Sequence, residues 1–210
     1  MSNSGQETEA KFYVLNLTDI ERHVQDLGAR LIQARVLETN IRFDLPDDRL
    51  QSDRRVLRLR QDTDARLTYK SASTNEQGVL SRTEIEFIVE DFEKAKQFLE
   101  ALDYQPIFSY EKYRTTYALQ PSESPIHIML DELPYGNFVE IEGETVESIR
   151  QVSDALNLKW KAAIGASYSA LFRHVSKTLN LSFQELSFEK FAGIQVSSDD
   201  LGVRVAEDLT

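Results

Sequence analysis

Between residues 7 and 143 the chain keeps returning to one pattern: short runs of alternating apolar and polar positions, separated by stretches where apolar residues recur every three or four positions. Period two sends successive side chains to opposite faces of a strand, whereas a period near 3.6 marks one face of a helix. On that basis strands are predicted over residues 7–14, 35–44, 54–61, 66–72, 80–90, 110–119, 125–131 and 137–143. Thr18-Asp19-Ile20-Glu21 has the form of a capping box, and Ile20, Val24, Leu27 and Leu31 follow on one helical face. A second helix is predicted over 92–102 with Phe92, Ala95, Leu99 and Leu102 inward, a third over 146–156 behind Thr145, and a fourth over 166–178. Ser73 to Gly78 reads as a turn. After Leu179 a short amphipathic piece carrying Phe183, Leu186, Phe188 and Phe191 leads into weakly patterned polar sequence, expected to form an irregular appendage.

The order strand, helix, strand occurs twice. Thr8-Glu9-Ala10-Lys11-Phe12 is echoed by Thr83-Glu84-Ile85-Glu86-Phe87, and the following helices reach Leu27 and Leu102 at the same offset of nineteen residues. A unit duplicated about a pseudo-twofold axis explains the echo; a solenoid does not, because the period is far too long. The 210 residues, 41% of them hydrophobic, suffice for one large domain with a tail. No apolar stretch is long enough to span a membrane, and Met1 to Gln6 lacks the make-up of a signal peptide. With no cysteine there is no disulfide, thiolate metal site or cysteine nucleophile, so a cytoplasmic protein is expected. The net charge of −11 argues against non-specific nucleic-acid binding but leaves room for a local basic pocket. Arg54, Arg55, Arg58, Arg60, Arg66 and Lys70 all fall within seventeen positions.

Where the charges fall changes the picture. Glu7, Glu9 and Lys11, then Arg58 and Arg60, Arg82 with Glu84 and Glu86, Lys112 and Arg114, and Glu140 and Glu142 are each spaced two apart. Each strand therefore carries one charged face, with Leu57, Leu59, Ile85, Tyr113, Val139 and Ile141 on the other. Taken singly, each segment fits an antiparallel sheet with one wet face. Two features point inward instead. Like charges adjoin within strands, which a solvated sheet would avoid by alternating signs, and four apolar helical stripes need the apolar strand faces to pack on. A sheet closed with its charged faces inward encloses a polar lumen.

Two like charges roughly 4 Å apart repel by about 4 kcal/mol at an effective dielectric of about 20, so buried sets of one sign ask for counter-ions. Glu7, Glu9, Asp131, Glu140 and Glu142, with Glu84 and Glu86, ask for an oxygen-ligated divalent cation such as Mg2+ or Mn2+. Glu84 and Glu86 serve equally well as salt-bridge partners of the arginines. Lys11, Arg58, Arg60, Lys70, Arg82, Lys112 and Arg114 ask for a polyanion, with phosphates the natural choice. A cation site beside a phosphate cradle is the equipment of phosphoryl or nucleotidyl transfer.

Six motifs occur in a telling order: Glu7-Thr8-Glu9-Ala10-Lys11, Leu57-Arg58-Leu59-Arg60, Leu67-Thr68-Tyr69-Lys70, Ser81-Arg82-Thr83-Glu84-Ile85-Glu86, Asp131-Glu132-Leu133 through Gly136 to Glu142, and Ser167-Tyr168 with Leu171. Over about residues 6–175 they resemble the CYTH domain of the triphosphate tunnel metalloenzymes, which include class IV adenylyl cyclases and thiamine triphosphatases. The resemblance implies an α+β fold, a closed eight-stranded antiparallel β-barrel or tunnel with a charged lumen and helices packed outside. It implies a tunnel domain over 1–178 and a C-terminal extension over 179–210, a short helix plus an irregular tail.

Glu7, Glu9, Asp131, Glu140 and Glu142 would then bind one or two ions of Mg2+ or Mn2+, and the seven cations would hold a triphosphate, with Glu7, Glu9 and Lys11 at the catalytic centre. In a cyclase the 3′-hydroxyl of ATP attacks the α-phosphorus; in a hydrolase of thiamine triphosphate or tripolyphosphate, water attacks the terminal phosphorus. The implied partner is a small-molecule triphosphate, with no nucleic acid or membrane; a homodimer is compatible with the resemblance. One departure stands out: relatives near the cyclase branch often show an acidic residue before Tyr-Phe-Asp, where this chain has Thr39-Asn40-Ile41-Arg42-Phe43-Asp44, adding the positive charge of Arg42.

Other chemistries find little support. There is no GxxxxGK[ST] loop, no HExxH pattern and no GxSxG elbow around Ser167. His23, His127 and His174 are scattered, and a structural role is expected for each; Trp160 is expected in packing. A non-catalytic polyphosphate-binding module is the alternative of another class, and the carboxylates at both ends of the chain count against it, since a pure binder has no use for them.

Overall fold

The computed structural model describes residues 6–76, 79–120 and 125–207. In chain order the elements are β1 (Gln6–Val14), α1 (Leu17–Asp26), β2 (Arg30–Asp44), α2 (Arg49–Ser52), β3 (Val56–Gln61), β4 (Ala65–Lys70), β5 (Thr74–Glu76), β6 (Val79–Val89), α3 (Phe92–Ala101), β7 (Gln105–Leu119), β8 (Ile126–Leu133), β9 (Gly136–Glu142), α4 (Val146–Ala155), a 3-10 turn (Trp160–Ala162), α5 (Tyr168–Thr178) and α6 (Ser198–Leu201). Eight strands form a closed antiparallel ring in the order β1-β9-β8-β7-β2-β3-β4-β6, with β6 returning to β1. The closure is staggered: the first half of β6 pairs with β1, from Gln6↔Thr83 to Ala10↔Val79, and the second half with β4, from Lys70↔Glu84 to Ala65↔Val89. β5 is a short extra strand beside the start of β6, where the sequence suggests only a turn. Gln77 and Gly78, at the end of that expected turn, lie outside the described residues.

The predicted duplication appears as β1-α1-β2 and β6-α3-β7. β1 pairs antiparallel with β6 and β2 with β7, as a twofold relation requires. Both β2 and β7 run for 15 residues, starting earlier than their alternation suggests. Their register shifts between Leu31 and Gln33, between Gln33 and Val36, and between Arg42 and Phe43. Such irregularities bend strands and help a sheet curl closed.

Helix limits follow capping chemistry more closely than apolar period. Asn16, not Thr18, caps α1: its Oδ1 accepts from the amides of Thr18 at 3.1 Å and Asp19 at 3.2 Å. Gly28 ends the helix in the left-handed region at φ 79°, and the Ala29 amide donates back to the Val24 carbonyl. Leu27 is therefore the cap residue and Leu31 a half-exposed residue of β2, rather than part of an inward stripe. Asp103, also left-handed, ends α3 in the same way and leaves Leu102 half exposed. Thr145 caps α4 as predicted.

Outward-facing strand residues meet the helices in three apolar clusters. Phe12, Ile128, Val139 and Ile141 pack with Ile20 and Val24 of α1 and Ile149 and Val152 of α4, and Trp160 packs beside them. Phe43 and Leu59 pack with Leu99 of α3. Tyr13, Tyr135 and Phe138 pack with Leu171, Phe172 and Val175 of α5 and with Leu186, Phe191 and Leu201 beyond it. Residues 179–207 are largely irregular in backbone yet docked: Leu186 bridges Tyr110, Val205 bridges Tyr13, and the Glu207 carboxylate accepts from the amides of Leu15 and Asn16. The expected covering of the ring is incomplete at β6, where Ile85 and Phe87 remain 56% and 53% exposed. No helix among the described residues is long and apolar enough to cross a membrane.

Candidate active site in the tunnel

Alternation along each strand sorts the inner face of the ring. β1 contributes Glu7, Glu9 and Lys11, β3 Arg58 and Arg60, β4 Lys70, β6 Arg82, Glu84 and Glu86, β7 Lys112 and Arg114, and β9 Glu140 and Glu142, all lining one cavity of about 360 Å³. The intervening Ala10, Phe12, Leu59, Val139 and Ile141 are buried in the outer clusters. Of the expected site residues only Asp131 is not on the cavity wall. It stands behind it, and its two oxygens accept from Lys112 Nζ at 2.9 Å, from Arg114 Nε and Nη2 at 2.6 and 2.5 Å, and from the Tyr168 hydroxyl at 2.7 Å. Three of these bonds fall on Oδ2 and one on Oδ1, so Asp131 orients two cations and a tyrosine from behind the wall.

Like charges adjoin along each strand, but opposite charges meet across strands. In register, Glu7 faces Arg82, Lys11 faces Glu140, Lys70 faces Glu84, Lys112 faces Glu38 and Arg114 faces Asp131. Lys11 Nζ lies 2.9 Å from Glu140, Lys70 Nζ 2.5 Å from Glu7 and 3.0 Å from Glu84, and Arg82 Nε 2.9 Å from Glu7. Arg114 also bonds Glu140, and Arg60 lies 3.1 Å from Glu86. Burial alone would drive these carboxyls up. Lys70 and Arg82 outweigh it and hold Glu7 at about 2. Lys112, Arg114, Arg60 and Arg58 do the same for Glu38, also at about 2, and Lys11 and Arg114 hold Glu140 well below the carboxylate range.

Two lumen pairs set like charges in register, Glu9↔Glu142 between β1 and β9 and Arg42↔Arg58 between β2 and β3, although Glu9 also has Arg82 Nη2 at 3.6 Å. A third like-signed pair, Arg60↔Arg66, is bridged by Asp62, 2.7 Å from Arg66, and by Glu86. At Glu142, burial together with Glu7, Glu9 and Glu84 pushes the carboxyl up to about 7, against a weaker pull from Lys70. Among the described residues no three carboxylate or imidazole groups converge as a ready-made cage. The donor chemistry fits a hard divalent cation all the same: Glu9 and Glu142 are neighbouring carboxylates whose excess negative charge such an ion would neutralise.

The wall also includes residues outside the expected set: Arg42 of β2, Tyr110 of β7, Met129 of β8, and Ser167, Tyr168 and Ser169 at the start of α5. Lys11 Nζ lies 4.2 Å from the Tyr168 ring centroid. Parity could have found Tyr110, which alternates with Lys112 and Arg114, and also Glu38 and Asn40, which alternate with Arg42. His127 sits in register with Glu142 but not on the wall.

Comparison with known proteins places the chain. The sequence model of the CYTH domain matches residues 5–169. Protein PH1012 of Pyrococcus horikoshii OT3 shares 25% identity and superposes with a TM-score of 0.63, over 77% of this chain and 96% of that one. A Vibrio parahaemolyticus protein named as a candidate adenylate cyclase shares 20% identity with a TM-score of 0.67, over 78% and 96% of the two chains. The Hippeastrum protein HpAC1, described as a candidate adenylyl cyclase with a dominant triphosphatase activity, shares 18% with a TM-score of 0.59, over 80% and 95%. At such identities the last two likenesses concern the fold alone. The chain matches no curated protein. With a family match over most of its length and a ring of eight strands around an ionic lumen, the chain belongs to the CYTH domain family.

Proposed function

We propose that this chain is a divalent-metal-dependent enzyme that hydrolyses a triphosphate inside the tunnel. The observation that carries this reading is one lumen in which Lys11, Arg58, Arg60, Lys70, Arg82, Lys112 and Arg114 stand beside two carboxylates that face each other in register, Glu9 and Glu142. A triphosphate offers the cations charge-assisted bonds in place of the carboxylates they now hold. Lys11 would exchange Glu140, Lys70 and Arg82 would exchange Glu7, and Asp131 would keep Lys112 and Arg114 aimed at the substrate. Glu9 and Glu142 would hold Mg2+ or Mn2+, with Glu7 and Glu140, released from their cations, alongside on the same two strands. The ion supplies Lewis-acid charge to the phosphoryl oxygens. Glu84 and Glu86 act in this reading as partners of Lys70 and Arg60.

Hydrolysis is favoured over cyclisation by the lining itself. A nucleobase needs a free aromatic face or matched polar groups. The Tyr168 ring is covered by Lys11, and the Tyr110 ring stacks on Phe108 with centroids 5.5 Å apart. The triphosphatase activity described for the Hippeastrum protein supports the same choice, whereas the Vibrio protein's name points to a cyclase.

The test is turnover with Mg2+ or Mn2+, offering tripolyphosphate, ATP and thiamine triphosphate in parallel. Orthophosphate is expected; cyclic AMP with pyrophosphate would sink the hydrolase reading in favour of the cyclase. Glu9→Gln is expected to lose about a hundredfold in turnover while its thermal midpoint stays near that of the parent. Normal turnover in that variant would remove Glu9 from the metal site.

A further inference from the structure

Of the second like-charged pair, Arg58 belongs to that cradle but Arg42 has no part in it. Arg42 on β2 stands directly opposite Arg58 on β3, and facing like charges destabilise a sheet unless something neutralises them. Arg58 has relief, with Thr68 Oγ1 at 3.3 Å and Glu86 at 3.6 Å. Arg42 has no carboxylate in salt-bridge range among the described residues. It donates to Ser169 Oγ on α5, and its Nε is buried without a partner. Burial draws its guanidinium below the usual range, and Arg173, Arg82 and Arg58 push the same way against the Tyr110 hydroxyl.

Arg42 is not alone in lacking partners. Two residues along the same face, Asn40 is 0% exposed, and both its amide oxygen and its amide nitrogen are unpaired. On the adjoining strand the Nε atoms of Arg58 and Arg60 are unpaired as well. Two acceptors on this face, Asn40 Oδ1 and Glu38 Oε2, lack hydrogen-bond partners too, but the free donors, Asn40 Nδ2 and the Nε atoms of Arg42, Arg58 and Arg60, outnumber them. Buried polar groups are almost always satisfied in folded proteins, so the excess points to a missing acceptor. In the ring, β2 stands four strands from β1 in either direction. The unmatched cation and the Glu7 and Glu9 carboxylates therefore occupy opposite walls of the lumen.

We propose that Arg42 and Ser169, backed by the buried Asn40, form an anion subsite on the wall opposite the carboxylates, which receives the phosphoryl end remote from the attacked phosphorus, free in tripolyphosphate and esterified in ATP, and makes Arg42 a specificity residue for that free end. The substrate half of this rests on the triphosphate reading above; the anion half does not. A terminal phosphoryl group offers three acceptor oxygens and the larger charge, which suit a guanidinium, an amide and a hydroxyl together. An organic group in its place would leave these buried donors unpaired, and a site built to hydrogen-bond rejects such a ligand far more strongly than an apolar pocket can.

Arg42→Gln and Arg42→Lys test the proposal; Gln keeps a donor for Ser169 while removing the charge. Without divalent metal, inorganic phosphate is expected to raise the thermal midpoint of the parent protein and to lose most of that effect on Arg42→Gln, with Arg42→Lys between the two. In the absence of anion, Arg42→Gln is expected to be at least as stable as the parent, since an unmatched buried charge has gone. In turnover, the Arg42→Gln KM for tripolyphosphate is expected to rise about tenfold, that for ATP less than about threefold, and kcat to change little.

The subsite is wrong if phosphate does not stabilise the parent, if the stabilisation survives in Arg42→Gln, or if that variant is less stable without anion. Equal KM losses for ATP and tripolyphosphate overturn the specificity. The two readings fail separately: turnover with an unchanged tripolyphosphate KM in Arg42→Gln removes the subsite alone. A phosphate shift that depends on Arg42, in a protein that turns over no triphosphate, removes the enzyme reading alone.

Discussion

Glu142 shows how a single side chain registers what its surroundings lack. Its carboxyl titrates near 4.5 in an unfolded chain and near 7 in the folded one. As pH rises through that window the unfolded chain gives up its proton first, so the folded state loses stability up to about 7 and then levels off. Glu7 and Glu38, held near 2, act in the opposite sense: their contribution is present above about 4.5 and disappears as pH falls toward 2. Glu142→Gln is therefore expected to stabilise the metal-free protein above neutrality by on the order of 2 kcal/mol, and to leave it nearly unchanged at about pH 4. Urea midpoints at the two pH values measure this; an equal shift at both would assign the effect to packing instead of charge. Parity along the chain was enough to bring Glu142 to the lumen. It also sent Asp131 there, alternating with Met129, and missed that Lys112, Arg114 and Tyr168 converge on its oxygens from other elements.

At the scale of elements, alternation located all eight strands of the ring, because one face of each must bury apolar side chains and the other carries charge. It failed where alternation itself fails. The first residues of β2 and β7 include Leu31, Ile32 and Ile107, which are exposed apolar residues, and the register of β2 on β7 slips near Leu31. Helix ends were legible only from cap chemistry, and at α1 it is Asn16, not Thr18, that takes the first amides. Asn16→Ala is expected to cost about 1 kcal/mol, and Thr18→Ala less than about half of that. Chemical denaturation of both variants decides between the two residues; a larger loss at Thr18 would restore the capping box.

For the whole molecule, the most consequential element is the one with the weakest pattern. Residues 179–207 bury Leu186, Phe191, Leu201 and Ala206 against the ring and α5. Each fully buried side chain of the size of leucine or phenylalanine contributes about 1.5–3 kcal/mol. We expect a chain ended at residue 178 to unfold at least about 10 °C lower than the full chain, or to aggregate through the uncovered Leu171, Phe172 and Val175. Circular dichroism melting of the two chains measures it, and coincident melts would establish 1–178 as a self-sufficient domain. The tail was hard to read because its apolar residues follow neither period; they fit a surface that exists only after the ring has closed.

The extended backbone dictates, before any folding, which side chains share a face, and this was enough to collect Glu7, Glu9 and Lys11 with the arginine and lysine strands around one lumen. Which charge meets which is settled by register across strands that lie far apart in the chain, as Lys11 with Glu140 or Glu7 with Arg82. Only the closed ring could match those pairs, and only it could set like charges face to face, Glu9 with Glu142 and, on the far wall, Arg42 with Arg58, because Coulomb energy depends on separation in space and not along the chain.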